Sequence, residues 1–273
     1  MGETIYPQEA VTARPLTPEQ LERINIDDAQ RWLDAFIARA PIEVAVVGDI
    51  DRDRAAGLVR TYLGSLPDRP RMAPGLLEDL ESIPAPTEDR TATVEVDTQT
   101  PAAGVIAGFF GSDAADLRDT RLLQLASRTL SSRMIEKLRE QERLVYSIQA
   151  QVVPAEAFKG YGLMLAGSAT APDKAETLAT RIGEIFADFA ESGPTDDELA
   201  TAKAQVAKTI GEAFEEPSFW SLQLSQLVKR DRSLDDFTSA LQTYQSFTAD
   251  EVRENFAAYH ARPKFRVIVK PAE

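Results

Sequence analysis

Two side chains in one short stretch carry the most suggestive chemistry of this sequence. In Leu138-Arg139-Glu140-Gln141-Glu142-Arg143-Leu144-Val145-Tyr146-Ser147, a permanent cation, Arg139, stands seven residues ahead of a phenol, Tyr146. Both are hydrogen-bond donors. Upstream, Leu122, Leu123, Ala126, Leu130, Met134, Ile135 and Leu138 recur at helical intervals; downstream, Leu144, Tyr146, Ile148, Ala150 and Val152 alternate as in a half-buried strand. Arg139 is thus expected in the last turn of a helix and Tyr146 at the start of a strand, and such a corner can bring both side chains to one place. On spacing alone the structural reading is the favoured one: Arg139 capping helix carbonyls and Tyr146 packing in the core.

Other chemistry is largely excluded by composition. The 273 residues contain no cysteine and one histidine, His260. A catalytic zinc takes about three protein ligands from His, Glu, Asp or Cys, and no such spacing occurs in this chain. A Ser-His-Asp triad would have to use His260, which closes the helical run Phe256-Ala257-Ala258-Tyr259-His260 and reads as an end-of-helix residue. Asp196-Asp197 and Glu215-Glu216 are adjacent carboxylates at helix ends, where solvated caps are the default. Val47-Gly48-Asp49-Ile50-Asp51 offers one glycine where a dinucleotide fingerprint needs three, so it reads as a plain strand-turn-helix.

The elements that must position Arg139 and Tyr146 follow from the chain in order. Apolar residues are 43% and charged residues 27%, the profile of a soluble globular protein. The net charge of −14 argues against nucleic acid and anionic lipid as partners. Residues 1–15 read as an extended arm. Thr17, Pro18 and Gln20 open a short helix, and a second, from Asp27, carries the stripe Ala29, Trp32, Leu33, Phe36 and Ile37. Pro41 ends it, Ile42–Val47 reads as a buried strand, and Asp51 caps another helix. Pro67, Pro70, Pro74, Pro84 and Pro86 then mark a semi-extended linker with a brief helical suggestion around Leu76 to Leu80. Beyond it, strands are expected at 93–97, 105–110, from 144 and at 161–166. A strong amphipathic helix runs from Pro172 to Gly193. Capping boxes at Thr195–Glu198 and Thr248–Glu251 open two more, with shorter helical segments at 218–229 and 234–244, and a last strand covers Phe265, Val267 and Val269.

The helix-breaker-strand unit near the start recurs near the end. Asp27, Leu33, Phe36, Arg39, Val44 and Val46 pair with Asp250, Phe256, Tyr259, Arg262, Val267 and Val269, each 223 positions apart. A repeat of that period makes residues 1–66 the C-terminal tail of a preceding α/β domain, 67–92 a linker and 93–273 a complete α/β domain. The strand at 42–47 would then lack its sheet, and such an edge invites pairing with another chain, a homodimer included.

Three passages together resemble the pitrilysin/insulinase family of zinc metallopeptidases, in its C-terminal, non-zinc half. They are Glu43–Asp51 with Tyr62-Leu63-Gly64-Ser65-Leu66-Pro67; Leu138–Gln141 with Leu144, Tyr146 and Ser147; and Gly193-Pro194-Thr195 with Glu198, Leu199, Ala202 and Lys203. The resemblance implies a two-layer α/β (α+β) fold, the LuxS/MPP-like one, with an antiparallel-rich sheet packed on helices and the domain duplicated. It implies that zinc and its water-activating glutamate lie in the N-terminal half, as a partner subunit or on the same polypeptide, and that the two halves close around a peptide. By this resemblance Arg139 and Tyr146 bind that peptide near the scissile carbonyl, no residue of this chain is catalytic or binds metal, and the chain alone should not cleave peptides. The family often has glycine where this chain has Arg143. A non-catalytic scaffold or subunit of the same fold is the alternative.

Overall fold

The computed structural model describes residues 2–7, 10, 12–69 and 78–272. Two compact units divide the chain: residues 15–79 with 208–240, and residues 1–14, 80–207 and 241–273.

The longer helices and the strands follow in chain order. Helices α1 (Ile26–Arg39) and α2 (Arg52–Leu63) precede strands β1 (Arg90–Val96) and β2 (Ala103–Phe110). Helix α3 (Leu117–Met134) continues as a π-helical segment, Ile135–Gln141, and leads to β3 (Gln149–Val153) and β4 (Leu163–Thr170). Helices α4 (Ala175–Ser192), α5 (Asp196–Glu215), α6 (Pro217–Gln226) and α7 (Ala249–His260) follow, and β5 (Lys264–Pro271) closes the chain.

In the unit holding residues 15–69, local signals form as the sequence dictates. Thr17 and Gln20 complete a reciprocal capping box. The Asn25 side chain accepts from the Asp28 amide at 2.9 Å, and Asp51 from the Arg54 amide at 2.8 Å. The expected buried strand at 42–47 is not formed. A strand needs a neighbour to answer its ladder, and among the described residues this segment has none. Ile42, Val44 and Val46 are about half exposed, as are Phe36 and Ile37 of α1, while Trp32 is 66% exposed. The expected linker falls partly outside the described residues, Pro70, Pro74 and Leu76 among them; Glu78–Glu81 forms one helical turn.

The larger unit is a two-layer structure on one five-stranded sheet, in the order β1-β5-β2-β4-β3. Only the β1–β5 pair is parallel. The other three are antiparallel, with Ile106 opposite Val267, Ala107 opposite Ala166 and Ala150 also opposite Ala166. The antiparallel-rich, helix-backed sheet expected from the sequence is what the chain builds.

Alternation along each strand gives the sheet two unlike faces. Val105, Ala107 and Phe109 of β2 are buried on the face covered by α3, α4 and α7. Phe109 meets Phe186 edge-on at 5.6 Å and Phe256 at 5.2 Å, and Phe256 meets Phe189 at 4.8 Å. Rings at these separations contribute beyond the area they bury. The α4 stripe expected from the sequence supplies this layer, with Leu178, Ile182, Ile185, Phe186 and Phe189 all buried. The opposite face is covered at one end, where Ile5 packs with Phe110, Tyr161, Leu163 and Phe265. Tyr161 also donates to the Pro84 carbonyl at 2.8 Å, docking the proline stretch there.

Candidate functional site

The corner carrying Arg139 and Tyr146 begins where α3 changes its winding. Residues 135–141 adopt the wider π form, and the Glu142 amide returns to the Lys137 carbonyl at 3.0 Å. Arg143 then turns the chain with φ of 52°, the left-handed conformation that glycine adopts without strain. The Leu144 amide folds back to the Leu138 carbonyl at 2.8 Å and closes the helix end. Arg143 meets the requirement of this turn at a steric cost.

The expected alternation from Leu144 does not hold, because the left-handed residue resets the chain direction. Val145 and Ile148 are the buried anchors, three residues apart, and β3 starts only at Gln149. Tyr146 points away from the core and is 84% exposed, so the core-packing reading is overturned. Arg139, also exposed, brings its guanidinium carbon to 5.4 Å from the Tyr146 ring centroid. The two candidate residues are therefore neighbours in space.

Several polar contacts hold this corner. Arg181 of α4 donates from Nε to both Glu142 carboxylate oxygens, at 3.1 and 3.0 Å, and again from Nη2. Its Nη1 pairs with Glu184. Thr170 of β4 donates to the Leu144 carbonyl at 2.6 Å, and Ser168 to the Ser147 carbonyl at 2.5 Å. The Ala150 amide donates to Ser131 of α3 at 3.0 Å, tying edge strand to helix. None of these partners stands out in the sequence, because Arg, Ser and Thr on a surface are ordinary and their partners lie up to 39 residues away.

The open end of the sheet's second face forms an apolar groove of about 430 Å³. Gly104, Ile106, Leu165 and Gly167 line it, with Gln149 and Ser168 at its polar margin. Ser168 thus borders the groove and also holds the backbone next to Tyr146. Two exposed donors can hydrogen-bond a peptide carbonyl, and an apolar sheet face can receive side chains.

The other sequence candidates have structural roles. Glu198 completes the capping box with Thr195, whose amide it accepts at 2.8 Å, and it also takes two bonds from Arg133, at 2.7 and 2.6 Å. Arg133 further donates to the carbonyl of Gly193, which stops α4 with φ of 68°. The Arg133 bonds hold the Glu198 carboxyl down at about 2 against the opposing effect of burial. His260 stacks on Phe256 and meets Phe109 edge-on. Burial, then the charge of Lys264, pushes its pKa down, so it stays a neutral ring on the core. Asp196 and Asp197 sit in the first turn of α5, where the helix dipole favours them. Among the described residues no group of three or more His, Asp or Glu could hold a metal ion, so the donor set here does not fit zinc.

The larger unit is thus a two-layer domain with an antiparallel-rich sheet and an exposed Arg–Tyr corner. The family described as "Peptidase M16 inactive domain" matches residues 23–206, more than half of the chain, and the chain belongs to it. Among solved structures it is similar to the peptidase M16 inactive domain from Pseudomonas fluorescens, with TM-score 0.76 and 20% identity over 94% of this chain and 60% of that one. It is similar also to a protease from Helicobacter pylori, with TM-score 0.75 and 17% identity over 93% of this chain and 61% of that one. For the periplasmic protease PqqL from Escherichia coli the values are 0.62 and 18%, over 82% of this chain and 25% of that one. At such identities the likeness is one of fold, and the chain spans about three fifths of the first two. No curated protein sequence matches it. No helix among the described residues is long and apolar enough to cross a membrane.

Proposed function

We propose that this chain is the substrate-binding, non-catalytic portion of a zinc-dependent metalloendopeptidase, and that Arg139 and Tyr146 are its peptide contacts. Zinc and its activated water belong to the other, zinc-bearing half, on the same polypeptide or a partner subunit. Residues 1–66 are the tail of a preceding domain, 67–92 the linker and 93–273 the domain that carries the site. The observation supporting this most directly is the exposed Arg139–Tyr146 pair, guanidinium carbon 5.4 Å from ring centroid, on a corner tied through Ser147 to Ser168 of an apolar groove. Donors placed at a scissile carbonyl stabilise the oxyanion that develops there, and removing one such donor costs about 10²–10³-fold in turnover. The half-exposed apolar surface of Phe36, Ile37, Ile42, Val44 and Val46 supports a missing neighbour for residues 15–66.

The test is turnover of a casein digest by the assembled enzyme, zinc content measured in parallel. Arg139→Ala is expected to lower kcat with zinc unchanged; wild-type kcat in this variant would defeat the assignment.

A further inference from the structure

The corner is strained where it turns, and its restraints lie outside the motif. Arg143 holds a left-handed backbone, with φ of 52°, in which its Cβ crowds the carbonyl oxygen. Strain of this kind persists only where the surroundings over-determine the conformation. Next to Arg143 stands Glu142, the last residue before the turn, gripped by Arg181 across three N–H···O contacts. Arg181 belongs to α4, a helix fastened to the core by Ile182, Ile185 and Phe186 on the turns around it. The pair is therefore a strut from a rigid helix to the residue that precedes the strained one.

We propose that Arg181 is a positioning residue for the Arg139–Tyr146 pair, acting through Glu142 to fix the turn that carries Tyr146. This rests on the peptide-binding reading of that pair, but its structural part stands separately. The guanidinium is the suited group because it holds both carboxylate oxygens in one plane, which an ammonium cannot do. Both partners are partly exposed, at 36% and 28% of their side chains, so the strut loosens in salt while the aromatic core does not. Thr170 and Ser168 hold the carbonyls on either side of Val145 and Tyr146, so releasing Glu142 leaves the corner attached at its far end. Loss of the strut should widen the motion of Tyr146 without unfolding the sheet.

Two measurements decide it. Hydrogen exchange on the 273-residue chain compares wild type with Arg181→Met, which keeps the stem of the side chain and deletes the fork. Exchange at the Leu144–Ser147 amides should rise about tenfold, with the Ile182–Phe189 amides unchanged. Equal exchange at 144–147 overturns the proposal, and so does equal acceleration in both segments, which would mean general loosening. In the assembled peptidase acting on a casein digest, Arg181→Met should lower kcat about tenfold with KM little changed. The reversed pair Glu142→Arg with Arg181→Glu should regain most of that loss. If Arg139→Ala lowers kcat while Arg181→Met does not, the strut fails and the peptide reading stands. If Arg139→Ala is silent while exchange at 144–147 still rises, the peptide reading fails and the strut stands as a structural device.

Discussion

The guanidinium carbon of Arg139 lies 5.4 Å from the centroid of the Tyr146 ring, although one residue lies in the last turn of a π-helical segment and the other sits in irregular chain. An exposed contact of this kind contributes about 0.5–1 kcal/mol. It is enough to bias where each side chain points. The ring orients the cation while the phenolic oxygen remains in solvent, free to bond a ligand.

That division of labour separates two substitutions. Tyr146→Phe keeps the ring beneath Arg139 and removes only the hydroxyl; Tyr146→Leu removes both. In the assembled enzyme, Phe should lower kcat by about 10²-fold and Leu should add a further severalfold loss. Steady-state kinetics on a peptide pool checks both. Full activity in the Phe variant would assign Tyr146 to orienting Arg139 alone.

The turn before Tyr146 makes a prediction of opposite sign. Arg143 has φ of 52°, and its side chain is exposed. Glycine there relieves the left-handed penalty of about 1–2 kcal/mol and gives back part of it through the freer unfolded chain. Arg143→Gly should thus stabilise by about 0.5–1 kcal/mol, read as a higher urea midpoint at unchanged slope. A lower midpoint would show that Arg143 makes contacts worth more than its strain.

What the sequence revealed and concealed around this corner has physical causes. The α4 stripe, the Thr195 and Thr248 capping boxes and the apolar run of β2 were legible because each is a local pattern with one structural solution. The π segment was not, since i→i+5 winding uses the same residue types as ordinary helix. Nor was the true start of β3: Leu144 to Val152 alternates acceptably, but a left-handed residue ahead of it rotates the chain, leaving Tyr146 outside. The pattern of Ile42–Val47 specifies a strand and cannot specify whether its neighbours lie on the same chain. Arg181–Glu142 was invisible for a third reason, that charged pairs distant in sequence carry no periodic signature.

The unit around α1 should behave as a surface in want of a cover. Trp32 and Phe36 stack at 5.3 Å while remaining 66% and 55% exposed. Exposed apolar groups at this density drive association. The isolated chain is expected to self-associate at micromolar concentration in sedimentation experiments, and Trp32→Glu with Phe36→Ser should shift it towards monomer without lowering the melting temperature of the sheet unit. A wild-type chain that stays monomeric would show that this surface needs no partner.

Glu198 sets the acid limit of the α4–α5 junction. Its carboxyl is held at about 2 in the fold, against 4.5 when unperturbed, chiefly by the bonds from Arg133. A depressed carboxyl favours the fold fully above about pH 4.5, where both states are ionised. The advantage falls as pH drops towards 2, because the unfolded chain binds the proton first. Arg133 is also over the Phe189 ring at 5.0 Å, so the pair joins the junction to the core. Charge-assisted bonds of this type contribute about 1–3 kcal/mol, and partial exposure of both side chains places this pair towards the lower end. Glu198→Gln should therefore melt below wild type at pH 7, and the gap should narrow steadily between pH 4.5 and pH 3. Thermal melts across that range, compared variant against wild type so that the other carboxylates cancel, check the sign. A gap that stays constant or widens towards acid would mean that Glu198 acts through its capping bond to Thr195 and not through its charge.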